Sequence, residues 1–182
     1  MHRLICLIAA LFLPALVWAQ AALEPGKISP DIASFEAGVI CPPESVGTNP
    51  APGTLAGETH IIDVDPPFVS TTRRVPAVMG IGFGVKALAA DQAGLDDVIM
   101  VVTHPPMGDG QVQTQSYVTR ISGASPSLTF YQFDFAYELV TGIWQMAAMK
   151  DGKVLYRTSF EIVPPRMMPE LASVCGFESL LS

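Results

Sequence analysis

Histidine, cysteine and basic residues are scarce in this chain. Its 182 residues include 3 His, 3 Cys and 10 Lys plus Arg against 17 Asp plus Glu, which gives a formal net charge of −7. Proteins that bind nucleic acid rely on a basic surface, so this balance argues against a nucleic-acid partner. Hydrophobic residues make up 49% of the chain. That share is typical of a globular domain and excludes wholesale disorder.

The sequence also lacks the motifs of common active sites. No serine lies in the Gly-x-Ser-x-Gly elbow of hydrolases. After residue 19 no His or Cys lies close to another in sequence, whereas zinc sites use closely spaced pairs of these ligands. The glycines at 80, 82 and 84 interrupt a β-type alternation instead of preceding a helix, which argues against a phosphate-binding loop. We therefore expect a non-catalytic protein with no metal and no cofactor.

The one long apolar run lies at the N-terminus. A short basic start that includes Arg3 precedes residues 4–17, which are almost wholly apolar. Small residues up to Ala19 and Ala21 fit a signal-peptidase site, so residues 1–19 are predicted to be a secretory signal peptide cleaved near Ala19 or Ala21. The run is shorter than the roughly 20 residues that span a bilayer. We expect a periplasmic or secreted mature chain with no membrane span.

The rest of the chain is predicted to have three parts. Residues 20–57 form an N-terminal arm that contains one short strand, at 34–40, followed by a loop rich in Pro and Gly at 41–57 without regular structure. Residues 58–165 form a single β domain. Residues 166–182 form a C-terminal tail.

Alternation of apolar and polar residues defines the strands of the β domain. Asp151-Gly152 separates two alternating runs, a pattern typical of a two-residue β-hairpin. Residues 98–103 are apolar on both faces, as in a central strand ended by Pro105-Pro106, and 111–120 is polar, as at an edge. Seven or eight short strands favour an antiparallel β-sandwich. The predicted strands are 34–40, 58–64, 81–87, 98–103, 111–120, 131–137, 143–150 and 153–163.

Several short segments in a fixed order carry a resemblance to a known family. They are Arg74-Val75-Pro76, Gly80 with Phe83-Gly84-Val85, His104-Pro105, Gly142-Ile143-Trp144 and Phe160 to Pro164. On these segments, residues 58–165 resemble an uncharacterised bacterial exported family, the domain of unknown function 3859. The resemblance implies an immunoglobulin-like β-sandwich and brings no assigned activity.

The sequence leaves the role of one aromatic stripe open. Tyr131, Phe133, Phe135 and Tyr137 alternate with polar or small residues. Such a stripe is either part of the core or, if exposed, a platform on which a carbohydrate stacks.

The function predicted from the sequence is an exported binding or cell-envelope accessory module with a protein or envelope component as its partner. Candidate binding residues are Arg73 and Arg74, an adjacent basic pair, and His104 and Asp109, which follow an apolar strand. One alternative is a small hydrolase that uses His104 and Asp109. Another is a carrier of an apolar ligand between the sheets. The oligomeric state stays open.

Cys41 and Cys175 are predicted to form a disulfide. Export would place them in an oxidising compartment, and after residue 19 no third cysteine competes. Because the bond would close most of the domain into a loop, it would stabilise the fold by on the order of 5 kcal/mol.

Overall fold

The fold consists of two β-sheets packed face to face and a separate two-stranded hairpin. The structure is a computed structural model that describes residues 26–41 and 43–175, except for the side chains of 172 and 173. The predicted signal peptide therefore lies outside the described residues. In this part of the chain there are eleven strands: β1 (Lys27–Ile28), β2 (Ile32–Ile40), β3 (Gly47–Pro50), β4 (Glu58–Ile61), β5 (Arg74–Pro76), β6 (Gly82–Ala89), β7 (Leu95–Met107), β8 (Val112–Ile121), β9 (Ser127–Gln132), β10 (Gly142–Lys150) and β11 (Lys153–Val163).

The larger sheet has the order β1-β11-β10-β7-β8, and β5 adds to β11 as a parallel neighbour. The smaller sheet has the order β2-β6-β9, and β3 pairs with β4 outside both sheets. Every other pairing is antiparallel, so the predicted antiparallel sandwich is confirmed. The strand β8 lies at one edge of the larger sheet, as its polar sequence predicted. A cleft opens between this strand and β9, which lies at an edge of the smaller sheet.

Aromatic side chains from both sheets meet in the core. Phe83 of β6 lies against Phe160 of β11, with ring centroids 4.8 Å apart, and against Trp144 of β10 at 5.8 Å. All three are fully buried. The indole Nε1 of Trp144 donates a hydrogen bond to the Val140 carbonyl, so its polar atom is satisfied inside the core.

The Asp151-Gly152 hairpin is confirmed. Both turn residues have positive φ, 50° and 74°, as a type I′ turn requires. The strands β10 and β11 pair from Lys150 and Lys153 to Gly142 and Ile162. The turn thus sets the register of the first pairs, and an irregularity between Ala148 and Met149 shifts the register for the rest of the ladder.

The structure differs from the prediction in the position of one strand, the end of a second strand and the burial of that second strand. The segment 41–57 contains a strand, β3, and Pro50 is tolerated there because β3 has only one neighbour and Pro50 is its last residue. Pro105-Pro106 does not end β7, since the pairing with β8 shifts register between Thr103 and Met107 and leaves the prolines out of the ladder. The central strand β7 is not buried on both faces, because Ile99 is 47% exposed.

The disulfide between Cys41 and Cys175 is confirmed. Cys41 follows β2, and Cys175 follows a short helix, α1 (Pro169–Val174). Their Cα atoms are 5.3 Å apart across a sequence separation of 134. This bond ties the end of the described chain to the strand that precedes the hairpin. Within the described ranges, no helix has the length and apolar character needed to cross a membrane.

Candidate functional site

The cleft between β8 and β9 has a volume of about 310 Å³. One wall comes from β8, which contributes Gln115 and Thr119, and the other from β9, which contributes Gln132. The hairpin β3–β4 covers part of it, with His60 of β4 in the lining. Each wall is an edge strand of a different sheet. The cleft is the gap between these two edge strands, which do not pair with each other.

A chain of buried polar side chains forms the floor of the cleft. Gln115 Nε2 donates to His104 Nε2 at 3.1 Å and to the Tyr131 hydroxyl at 3.3 Å. The Tyr131 hydroxyl donates to Glu138 Oε1 at 2.6 Å. His104, Gln115 and Glu138 are each only 3% exposed. Their hydrogen bonds to one another offset the cost of removing them from water.

The floor also fixes the protonation of its members. His104 Nδ1 donates to the Pro105 carbonyl at 2.8 Å, so its Nε2 is the acceptor that Gln115 needs, and the ring is neutral. Burial lowers the pKa of His104, in line with that state. Burial raises the pKa of Glu138, and burial together with the neighbouring Glu138 carboxylate raises the pKa of Tyr131. The His104 ring packs at a tilt against Trp144, with ring centroids 4.7 Å apart.

Glu138 organises the backbone of the turn that follows β9. Its Oε2 accepts hydrogen bonds from the backbone N–H groups of Asp134 and Phe135, at 2.7 and 2.9 Å. Glu138 is the last residue of a 3₁₀ turn, Ala136–Glu138, that follows β9. One buried carboxylate thus accepts three donors and fixes the backbone at Asp134.

Ser45, His60 and Asp134 form a hydrogen-bonded array at the rim. His60 Nε2 lies 2.7 Å from Asp134 Oδ2, and His60 Nδ1 lies 3.1 Å from the Ser45 hydroxyl. Gln132 Nε2 donates to the other carboxylate oxygen of Asp134 at 2.8 Å. Ser45 is exposed, and its hydroxyl also donates to the Gly47 carbonyl at 2.9 Å. The array links the hairpin β3–β4 to the turn after β9.

The loop between β3 and β4 is fastened to β8. The backbone N–H of Leu55 donates to Gln115 Oε1 at 2.7 Å, and Ser116 N–H donates to the Gly53 carbonyl at 2.9 Å. A Cβ at Gly53 would lie 2.3 Å from the Ser116 carbonyl oxygen, so only glycine permits this approach. The cleft cover is therefore held at both ends.

The aromatic stripe is divided between core and surface. Strand β9 ends at Gln132, so the stripe does not continue as a strand. Phe133 is fully buried and Tyr131 lies in the cleft floor, whereas Phe135 and Tyr137 are 44% and 38% exposed and stack on each other. Phe135 lines a smaller hollow of about 220 Å³ that shares His60 and Asp134 with the cleft.

The site residues predicted from the sequence do not meet in the structure. Arg73 contacts Thr158, and Arg74 forms an ion pair with Glu161 at 3.0 Å on the larger sheet. Asp109 is exposed in the turn between β7 and β8. His104 is buried within β7 rather than at a strand end, and it reaches the cleft only through Gln115.

Sequence reasoning missed the rim array. Ser45 lies in the loop rich in Pro and Gly, and Asp134 is 74 residues from His60. The glycine-rich elbow that marks a hydrolase serine is absent. The described residues also contain no group of three or more His, Cys, Asp or Glu side chains placed to hold a metal ion.

The model of one family, described as "Domain of unknown function (DUF3859)", matches residues 28–162. The chain belongs to this family. The DUF3859 match confirms the resemblance found in residues 58–165 and extends it through the predicted N-terminal arm, so that Cys41 lies within it and Cys175 beyond it.

A solved structure described as an immunoglobulin-like protein of Pseudomonas aeruginosa is similar to this DUF3859 chain. The two are 18% identical, with a TM-score of 0.48, and the alignment covers 78% of this chain and 99% of that one. None of the curated proteins matches the chain. The β-sandwich and its disulfide are compatible with an extracellular or periplasmic protein.

Proposed function

We propose that this DUF3859 protein is an exported module that binds a small polar ligand in the cleft between β8 and β9. The observation that carries the proposal is the cleft itself, about 310 Å³ in volume and built on a rigid, hydrogen-bonded floor. Small-molecule sites are typically concavities of this size with a few polar groups fixed in position. The predicted signal peptide and the disulfide support a periplasmic or secreted location, and an envelope component is the expected source of the ligand.

The lining favours a polar ligand over an apolar one. Thr119, Gln132 and Asp134 are among the polar residues that line the cleft, and apolar residues such as Val102, Leu128 and Phe130 form a comparable share of its walls. An apolar ligand would remove these polar groups from water without offering them hydrogen bonds, which is unfavourable. The hypothesis of a carrier that holds an apolar ligand between the sheets is weaker for a second reason. The space between the sheets is occupied by the aromatic core.

Filling the cleft tests this function. The full chain, purified after export, is incubated with a small-molecule extract of its own cell envelope and examined by native mass spectrometry. A Thr119→Trp variant fills the cleft, whereas Thr114→Trp places the same side chain at an exposed position of the same strand. We expect a retained small molecule with wild type and Thr114→Trp and none with Thr119→Trp. Retention by all three, or by none, would contradict the proposal.

A second candidate function is favoured by the rim array. A serine hydroxyl next to an imidazole that is oriented by a carboxylate is the arrangement of a nucleophilic hydrolase. Ser45, His60 and Asp134 have these contacts, which support the rim over His104 and Asp109 as the position of a hydrolase site. Ser45 lies outside the lining of the cleft, and its hydroxyl has a carbonyl acceptor in Gly47, so ligand binding remains our main proposal.

A further inference from the structure

The cleft carries negative charge without a permanently positive side chain. Glu58, Asp134 and Glu138 line it, and none of the described residues that line it is Lys or Arg. His60, which is bonded to Asp134, is the one lining side chain that is able to become cationic. A concave site lined by one sign of charge raises the local concentration of counter-ions. An anionic ligand is disfavoured for the same reason.

Aromatic side chains line the same walls. Tyr117 comes from β8, and Phe130 and Tyr131 come from β9. The face of an aromatic ring attracts an organic cation, most strongly where water is excluded. The aromatic residues and the carboxylates therefore favour the same class of ligand, although they act through different interactions.

One buried acceptor beside the cleft has no donor. The Oε1 atom of Gln132 is buried and has no hydrogen-bond partner within the part of the chain that the structure describes. Its Nε2 donates to Asp134, so the orientation of the amide is fixed by that contact. A buried acceptor without a donor is unfavourable. Because the atom is buried, a ligand N–H group would reach it only after a shift of the Gln132 side chain, and it would then supply the missing donor.

We propose that the ligand of the cleft is a small organic cation, an ammonium group on a short carbon chain. This inference rests on the proposed function and names the chemical class of its ligand. The adjoining hollow shares His60 and Asp134 with the cleft and is lined by Phe135, so a short chain reaches from one to the other. A second ammonium group would then lie near Glu58, which lines both spaces.

Three probes with the same four-carbon chain isolate the effect of charge. They are 1,4-diaminobutane, 1,4-butanediol and succinate, titrated calorimetrically into the full exported chain. We expect the diamine to bind at least about tenfold more tightly than the diol, with no heat from succinate. Raising the NaCl concentration from about 0.05 M to about 0.5 M is expected to weaken the binding of the diamine, because salt screens exposed charges. Equal or tighter binding of the diol or of succinate would overturn the inference.

Two matched charge deletions locate the binding. Glu58→Gln removes a carboxylate that lines the cleft and the hollow, and Asp109→Asn removes one in the turn between β7 and β8. We expect the dissociation constant of the diamine to rise about two- to fivefold in Glu58→Gln, as for one partly exposed ion pair, and to stay unchanged in Asp109→Asn. Equal effects of the two variants would overturn the inference.

A neutral glycan probe separates this inference from the proposed function. If an N-acetylglucosamine oligomer binds wild type but not Thr119→Trp, and the diamine does not bind, the cation inference fails while the cleft remains a binding site. If neither probe binds and no envelope molecule is retained, both proposals fail. Binding of the diamine that is lost in Thr119→Trp and kept in Thr114→Trp supports both.

Discussion

His60 Nε2 lies 2.7 Å from Asp134 Oδ2, and this contact joins the separate hairpin β3–β4 to the turn after β9. Both side chains are about 30% exposed, so the contact is partly shielded from water. Among the described residues, the hairpin forms backbone hydrogen bonds within itself and, at its loop, between Gly53 and Ser116. At this end, the position of the cleft cover therefore depends on a contact between two side chains that are 74 residues apart in the sequence.

Removal of the His60 side chain should loosen the cleft cover without unfolding the sandwich. We expect His60→Ala to lower the free energy of unfolding of the hairpin by about 1 kcal/mol, which is typical of a partly buried polar contact. Backbone hydrogen exchange measured by mass spectrometry should rise within residues 47–61 and stay unchanged in β10 and β11. Thr48→Ala, at the position paired with His60 in β3, is the control and should leave exchange unchanged. Faster exchange throughout β10 and β11 would show that the hairpin supports the core.

The buried His104 should make stability fall at low pH. Burial lowers its pKa in the folded state below the usual 6.5, so as pH falls below 6.5 the unfolded chain takes up a proton that the folded chain does not. Wild type should therefore lose more stability than His104→Gln between about pH 7.5 and about pH 5. Urea unfolding gives the two losses. An NMR titration midpoint at or above 6.5 for this ring in the folded protein would contradict the argument.

The disulfide should account for a large part of the stability of the domain. Breaking it removes a constraint on an unfolded chain in which the cysteines are 134 residues apart, and the expected loss is on the order of 5 kcal/mol. Cys41→Ser and Cys175→Ser should lower the melting temperature equally, and reduction of wild type should reproduce their effect. Unequal effects would point to a role of one cysteine outside the bond. No effect of reduction would mean that the bond is absent in solution.

Gly84 should tolerate no side chain. It lies in β6 opposite β9, and a Cβ there would be 2.2 Å from the Thr129 carbonyl oxygen, a backbone atom that cannot rotate away. Gly84→Ala should therefore lower the free energy of unfolding by at least about 2 kcal/mol. Gly47→Ala is the matched control, since its Cβ would come no closer than 3.7 Å to Ile61, and should change stability by less than about 0.5 kcal/mol. If Gly84→Ala lowers stability as little as Gly47→Ala does, the backbone of the smaller sheet must shift to accommodate the added methyl group.

Local signals in the sequence were sufficient for the regular part of the fold. The Asp151-Gly152 turn and the alternation on either side of it determine β10 and β11, because turn geometry and side-chain period act over a few residues. Phe83 and Trp144 are core residues in the structure, and each lies in a segment that carried the family resemblance. The disulfide followed from cysteine count and the predicted export.

These local signals did not predict the cleft. His104 was predicted to end a strand because Pro105 follows it, yet a register shift lets β7 continue and buries the ring. Gln115 of β8 and Glu138 are brought together through Tyr131 of β9, so the floor depends on how the edges of the two sheets are placed. Neither residue type is distinctive in sequence. Contacts between the edge strands of two different sheets leave no periodic pattern in the sequence.

The behaviour of Ser45 distinguishes binding from hydrolysis. Its hydroxyl donates to the Gly47 carbonyl at 2.9 Å, a neutral acceptor that leaves the oxygen without the activation that proton transfer to an imidazole provides. We therefore expect a fluorophosphonate probe to leave the wild-type protein unlabelled at neutral pH, as judged by intact mass. A known serine hydrolase treated in parallel shows that the probe is active. Labelling that maps to Ser45 and is lost in Asp134→Asn, while Ser116→Ala keeps it, would instead establish the rim array as a nucleophilic site.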